Sequence, residues 1–198
     1  MTRDGAFLRP VRRGFQVPIA TLFPCPRRLL RAGNKRGYYG LTMPALALYQ
    51  PDIPQNAAAI LRLAACLDVT VHVIEPAGFD FSDRAVRRTG MDYLDRATIV
   101  RHLDWADFAS EAKKNASRIV LLTTQGATAY TGFTFAPGDI LLLGRESAGV
   151  PDAEHQAADA RLIVPMAPGL RSLNVVTAAA MVLGEALRQT DGFPSRKI

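Results

Sequence analysis

The chain has 198 residues, of which 48% are hydrophobic and 21% are charged. This composition is ordinary for a globular protein and excludes a collagen-like, mucin-like or wholly disordered chain. The longest apolar runs are shorter than the roughly 18 residues expected of a membrane span. Two cysteines, Cys25 and Cys66, are too few for a disulfide scaffold, so we expect reduced thiols in a cytoplasmic protein.

The net charge of +6 is unevenly distributed along the chain. Residues 1–42 hold nine basic residues and one acid, whereas residues 43–198 hold 15 basic and 17 acidic residues. The first segment has four prolines and no sustained hydrophobic period. We therefore predict a basic, disordered extension over 1–42 and one domain over 43–198. An export signal, an organelle transit peptide and an RNA-holding tail are the alternatives for the extension.

From Met43 onward, short apolar strands alternate with helical patterns. The predicted strands are Ala45–Tyr49, Thr70–Ile74, Thr98–Val100, Ile119–Leu122, Ile140–Leu143 and Leu162–Val164. The predicted helices are Pro54–Cys66, Ser82–Arg88, Asp104–Lys114, Pro151–Ala158 and Ser172–Gln189. This alternation predicts an α/β fold with a mostly parallel sheet and flanking helices.

Two strand ends run into long turns that are rich in glycine, proline and polar residues. They are the segments 144–151 and 165–174. Ligands of open α/β sheets bind at the carboxyl ends of strands, so these turns are candidate binding loops. Plain tight turns are the alternative.

Common cofactor fingerprints are missing from the sequence. It has no G-x-G-x-x-G after the first strand, no phosphate-binding G-x-x-x-x-G-K-[ST] and no G-x-S-x-G. These absences disfavour a dinucleotide enzyme, a P-loop nucleotidase and a serine hydrolase. The three histidines, His72, His102 and His155, are scattered without metal-ligand spacing, so we expect no metal.

Six ordered segments together carry a recognisable pattern. They are Leu48–Asn56 with Leu61–Leu63, Ile74–Phe79, Arg87–Tyr93, Leu122–Gly126, Gly144–Pro151 (G-x-E-x-x-G-[VL]-P) and Val164–Asn174 (I-P-M-x-P-x-x-R-S-[LM]-N). This pattern resembles the SPOUT superfamily of RNA 2′-O-ribose methyltransferases. Within it, the likeness is to a minimal single-domain branch that acts on nucleotide 34 of tRNA.

The resemblance implies a deep trefoil knot near the C-terminus, a homodimer and S-adenosylmethionine as the methyl donor. The residues that it places around the donor are Leu122, Gly144, Val164, Met166, Ser172 and Leu173. Glycine at position 144 would let backbone approach the ligand closely. Apolar side chains such as Leu122 and Met166 would suit the purine face.

The same resemblance places Asn56, Arg62 and Glu146 at the reacting end of the site. A guanidinium stays protonated in the normal pH range. We therefore interpret Arg62 as a clamp on phosphate or ribose that lowers the pKa of the 2′-hydroxyl. Base action by Arg62 would require a participating phosphate. Glu146 would orient either Arg62 or a loop amide.

Because the domain is slightly acidic, RNA must be held by local basic residues. The candidates are Arg84, Arg87, Arg88 and the neighbouring Tyr93, which could contact phosphates and stack on bases of the anticodon stem-loop. A solvated helix face is the alternative for these arginines.

Three positions depart from the family pattern. Ala58 stands in place of a glycine, Val176 in place of a serine, and Gly184 in place of an aromatic residue. Two other functions therefore stay open. One is 2′-O-methylation of another tRNA position or of ribosomal RNA, and the other is RNA binding without catalysis.

Overall fold

In the part of the chain that the structure describes, seven strands form one parallel sheet. The computed structural model describes residues 43–79, 93, 96–126 and 128–195. The strands are β1 (Ala45–Tyr49), β2 (Thr70–Ile74), β3 (Thr98–His102), β4 (Ile119–Leu122), β5 (Thr128–Ala129), β6 (Ile140–Leu143) and β7 (Ala160–Ile163). Their order is β3-β2-β1-β6-β4-β7-β5, and each neighbouring pair is parallel. The predicted α/β class is therefore confirmed.

Four α-helices accompany the sheet in the described part of the chain. They are α1 (Pro54–Leu67), α2 (Trp105–Lys114), α3 (Asp152–Ala157) and α4 (Val175–Gln189). Pro54 supplies a fixed φ at the first turn of α1. Asp104 caps α2 by accepting a hydrogen bond from the Asp107 amide, as its residue type predicts.

Apolar side chains are buried on both faces of the sheet. In β1, Leu46 and Leu48 pack into the core that contains α1 and α4, whereas Ala47 and Tyr49 pack into the core that contains α2. Successive residues of a strand point to opposite faces. Burial on both faces explains why the central strands are continuous apolar runs.

The last helix begins three residues later than predicted. Ser172 and Leu173 lie in the preceding loop, and α4 starts at Val175. The reason is the Asn174 side chain, whose Oδ1 accepts a hydrogen bond from the Val176 amide at 2.8 Å. A cap of this kind fixes the first turn of a helix more strongly than apolar periodicity does.

The strand limits show three smaller differences. β3 extends to His102 because it pairs with β2 along its whole length, up to Ile74. β7 begins at Ala160 and ends at Ile163, so Val164 lies in the following loop. The two-residue β5 was missed because it pairs only with Leu162 and Ile163 of β7 and has no periodicity of its own.

Some expectations fall on other parts of the chain. The extension 1–42 and the predicted helix Ser82–Arg88 lie outside the described residues. A knot is a property of how the chain is threaded, and strand order and pairing do not describe threading. The trefoil knot therefore stays a prediction. Within the described residues, no helix is both long and apolar enough to cross a membrane.

Candidate functional site

A large cavity lies at the carboxyl ends of β4, β6 and β7, which are neighbours in the sheet. Its volume is about 1100 Å³. The predicted donor residues all line it, namely Leu122, Gly144, Val164, Met166, Ser172 and Leu173. Asn56 and Glu146 line it as well. The structure thus brings eight of the predicted site residues, from four separate segments, around one space.

Gly144 begins a tightly closed loop beside this cavity. The Arg145 amide donates to the Gly149 carbonyl at 3.0 Å, and the Gly149 amide donates back to the Arg145 carbonyl at 2.8 Å. A Cβ atom at Gly144 would lie 2.6 Å from the Gly149 carbonyl carbon and 2.8 Å from its Cα. The close approach at Gly144 that the structure shows is therefore to the loop's own backbone.

Two asparagines join helices α1 and α4 at the cavity. Asn174 Nδ2 donates to Asn56 Oδ1 at 3.2 Å, while Asn174 Oδ1 caps α4. Both side chains line the cavity. Asn174 belongs to a recognised motif, but its role cannot be predicted from sequence because its contact with Asn56 joins positions 118 residues apart.

Glu146 faces a second carboxylate, that of Asp52. Glu146 Oε2 accepts a hydrogen bond from the Asp52 amide at 3.4 Å. The amide that Glu146 contacts is thus that of Asp52, and its role in orienting Arg62 or a loop amide stays a prediction. Burial raises the pKa of Glu146, and the adjacent Asp52 raises it further, while a hydrogen bond from Asn56 opposes the rise. Glu146 is therefore poised to hold a proton at a higher pH than an ordinary glutamate.

Arg62 lies apart from this group. It is exposed on α1 and is not among the residues that line the cavity. Its guanidinium carbon lies 4.8 Å from the ring centroid of Tyr93, a cation–π arrangement. The structure thus joins one predicted catalytic residue to one predicted RNA-binding residue. Arg84, Arg87 and Arg88 lie outside the described residues.

A second, smaller cavity of about 330 Å³ lies near the amino ends of the strands, beside α2. Its lining includes His72 and His102, whose Nδ1 and Nε2 atoms are 2.9 Å apart. His102 is only 1% exposed. Burial lowers the pKa of His72 to about 4, and the adjacent His102 lowers it as well. Across the described residues, no set of three or more His, Cys, Asp or Glu side chains could hold a metal.

Comparison with known proteins gives a consistent picture for this domain. The SpoU rRNA Methylase family matches residues 43–184. A tRNA (cytidine(34)-2′-O)-methyltransferase of Beijerinckia indica is 60% identical over 144 residues, which are 73% of this chain and 90% of that protein. A protein of the same name from Escherichia coli K12 is 37% identical over 151 residues, or 75% of this chain and 94% of that one.

Solved structures agree with these relatives. One, described as giving structural insights into the 2-OH methylation of C/U34 on tRNA, has a TM-score of 0.71 and 37% identity. The match covers 77% of this chain and 99% of that one. The SpoU methyltransferase AviRb of Streptomyces viridochromogenes, in complex with AdoMet, has a TM-score of 0.66 at 29% identity, covering 77% and 62% of the two chains. The chain therefore belongs to the SpoU family of RNA methylases.

Proposed function

We propose that this protein transfers a methyl group from S-adenosylmethionine to the ribose 2′-hydroxyl of nucleotide 34 in the anticodon loop of tRNA. The observation that carries the proposal is the 60% identity to a relative of that named activity, across 90% of the relative's length. The alignment therefore includes nearly the whole length of that relative. We expect the enzyme to act in the cytoplasm.

The large cavity fits the donor in size and chemistry. Its volume of about 1100 Å³ is above the range of most small-molecule pockets, so the cavity has room for the donor. Apolar side chains of Leu122, Val164 and Met166 lie on its wall beside loop backbone near Gly144 and Ser172. Such a wall suits a purine and ribose, with Leu173 closing one side. When bound, S-adenosylmethionine supplies a methyl group that its sulfonium already activates, so the reaction needs no metal.

For this reaction, the protein must align the two substrates and assist the transfer of one proton. The ribose oxygen forms a bond to the methyl carbon as the sulfur–carbon bond breaks, and the hydroxyl proton passes to a phosphate oxygen of the RNA or to water. We assign Arg62 to hold the ribose-phosphate and lower the pKa of the hydroxyl. Asn56 and Glu146 lie at the cavity and would orient the reacting groups.

RNA would reach the site across the surface that carries Arg62 and Tyr93. The contact between their side chains supports this assignment because it places a cation and an aromatic ring together, the pair of groups that hold phosphates and unstacked bases. We propose that Arg84, Arg87 and Arg88, which are close to Tyr93 in sequence, also contact phosphates of the anticodon stem-loop.

We also propose a homodimer with α4 at its interface. The buried side of α4 includes Val182, Leu183 and Leu187. The opposite side presents Met181, which is 41% exposed, and Gly184, where an added Cβ would meet nothing within 4 Å. An apolar, uncrowded face suits a second copy. Light scattering of the wild type should show a dimer at micromolar concentration, and a monomer there would contradict this assignment.

The methylation is tested by mapping ribose methylation in tRNA from a strain that lacks the gene, with and without the gene restored. We expect a 2′-O-methyl group at position 34 only when the gene is present. A restored modification at another nucleotide would indicate a different target. If purified protein binds labelled donor but transfers no methyl group to total tRNA, the proposed tRNA methylation is contradicted.

A second candidate substrate is ribosomal RNA. The description of the matching family names rRNA, and the sequence departs from the expected pattern at Ala58 and Val176. Transfer of label to ribosomal RNA and not to tRNA would favour it. Donor binding with no transfer to either RNA would favour an RNA-binding protein without catalysis.

The domain assignment can be tested in the same assays. We propose that residues 43–198 fold and bind the donor without residues 1–42, because every recognised motif lies after position 42. A shortened chain that begins at Met43 should keep the donor affinity of the full chain. Loss of that affinity, or insolubility, would make the extension part of the fold.

A further inference from the structure

Asp52 is an acidic residue to which neither the motifs nor the cavity assigns a role. It lies in the loop between β1 and α1 and is not among the residues lining the large cavity. Its carboxylate nevertheless accepts hydrogen bonds from Glu146 and Ser147 in the loop after β6. The two loops meet because β1 and β6 are neighbours, with Leu48 paired to Leu143 at their carboxyl ends.

The contacts of Asp52 run in both directions. Asp52 Oδ1 accepts a hydrogen bond from the Glu146 amide at 3.2 Å, and Oδ2 accepts one from the Ser147 amide at 3.3 Å. Ser147 Oγ also donates to Oδ2. In return, the Asp52 amide donates to Glu146 Oε2 at 3.4 Å. One residue therefore holds both the backbone and the carboxylate of Glu146.

Asp52 is itself held firmly from the opposite side. The Gly78 amide donates to the Pro51 carbonyl at 2.8 Å. A Cβ atom at Gly78 would lie 3.1 Å from the Asp52 Cα, so the backbone of the loop after β2 packs directly against Asp52. A clamp can fix its partner only if it is fixed itself, and this packing meets that condition.

The clamp depends on hydrogen bonds that Asp52 accepts as an anion and not on attraction between opposite charges. The hydrogen bond with the Glu146 side chain, followed by those from Ser147, lowers the pKa of Asp52 to about 2. Asp52 is therefore an anion at neutral pH, and hydrogen bonds that a carboxylate accepts from N–H and O–H groups are stronger than neutral ones. The titratable side chain facing it is Glu146, whose own pKa is raised chiefly by burial.

We infer that Asp52 is a positioning residue for the methyl transfer: its carboxylate holds Glu146 in place at the rim of the donor cavity. This inference rests on the proposed function, since Glu146 acts only if the cavity holds the donor. The loop's own closure, through Arg145 and Gly149, does not involve Asp52. Asp52 should accordingly matter for the rate and little for donor affinity.

The first test is Asp52→Asn, with Asp68→Asn as the matched control. Asparagine keeps one acceptor oxygen in place of two, so it cannot accept from both the Glu146 and the Ser147 amides through separate oxygens. We expect kcat for tRNA methylation to fall at least tenfold while the donor Kd from calorimetry changes less than threefold. The Asp68→Asn substitution removes the same charge at the other end of α1. It should change neither kcat nor the donor Kd. A kcat within twofold of wild type, or equal losses in kcat and donor affinity, would overturn the inference.

The second test asks whether Asp52 acts through Glu146. If it does, adding Asp52→Asn to Glu146→Gln should lower kcat by less than a further threefold, because the group being positioned is already altered. If the double variant loses kcat by the product of the two single-variant factors, Asp52 acts independently of Glu146.

A third readout does not depend on activity. Asp52→Asn should speed hydrogen exchange at least tenfold at whichever of the Glu146 and Ser147 amides loses its acceptor oxygen. Exchange should not change at the Gly149 amide, which bonds within its own loop. Unchanged exchange at Glu146 and Ser147 would overturn the clamp. If wild-type protein methylates no RNA, the proposed function fails, and this exchange measurement still decides whether Asp52 holds the loop.

Discussion

The two ends of the strands carry cavities of opposite character. The cavity at the carboxyl ends has a volume of about 1100 Å³ and is lined mainly by loops. The cavity near the amino ends, of about 330 Å³, is lined mainly by strand and helix residues and encloses the pair His72 and His102. The first space is large enough for a nucleoside ligand, and the second is a gap beneath α2.

The difference lies in what the polar side chains at each end contact. At the carboxyl ends, Asn56 and Asn174 bond to each other while facing a space that a ligand can enter. Asp52 bonds to the loop that carries Glu146 at the same cavity. Near the amino ends, His72 and His102 bond to each other, and Phe108 packs against both rings. Polar groups that satisfy one another in the interior contribute to stability, whereas polar groups around an open cavity can serve a ligand.

The largest expected effect separates donor binding from chemistry. Arg62→Ala should lower methyl transfer at least a thousandfold, on the order of 4 kcal/mol of barrier, because positioning and pKa lowering are both lost. Donor affinity should stay within twofold of wild type, since Arg62 does not line the cavity. Calorimetry and a tRNA methylation assay check both statements, with the exposed Lys113→Ala on α2 as the control. A near-normal rate would remove Arg62 from the mechanism.

Gly144→Val should have the opposite signature. The new Cβ would meet the Gly149 backbone at 2.6 Å, so the loop must open and the cavity wall must move. We expect donor Kd to rise about a hundredfold, or about 3 kcal/mol. Gly132→Val is the control because a Cβ there meets no atom within 4 Å. Unchanged affinity in Gly144→Val would mean that this loop does not hold the donor.

The histidine pair predicts a pH dependence of stability without an effect on binding. The pKa of His72 is about 4 in the folded chain and about 6.5 when unfolded. The unfolded chain therefore binds more protons between these values, and the stabilisation present above pH 6.5 is lost as pH falls toward 4. The free energy of unfolding, measured in urea, should drop by about 2 kcal/mol more between pH 7 and pH 5 in wild type than in His72→Gln. Equal drops would show that His72 does not carry this dependence.

The smallest expected effect concerns the helix that covers the cavity near the amino ends. Asp104→Ala removes the hydrogen bond to the Asp107 amide at the start of α2 and should lower the free energy of unfolding by about 1 kcal/mol. Donor affinity should not change. Thermal unfolding and calorimetry on the same sample measure both quantities. A weakened donor affinity here would show that the two ends of the sheet are coupled.

Periodicity located most elements because each is encoded locally. The strands β1, β2, β4 and β6 were predicted to the residue, and α1 differs only by its last residue. The predicted element bounds were wrong where a hydrogen-bonding partner determines where an element begins or whether it forms. β5 exists only through its pairing with β7, and the start of α4 depends on the Asn174 side chain rather than on the apolar pattern.

The α/β fold and the candidate binding loops after β6 and β7 can be predicted from sequence, because apolar period and turn composition are local properties. Which side chains meet at those loops depends on the packing of distant segments. Asn56 contacts Asn174, and Asp52 contacts Glu146, across separations of 118 and 94 residues. Arg62, six residues after Asn56, instead faces Tyr93. Strand order and helix rotation set these contacts, and neither is a property of any short stretch of sequence.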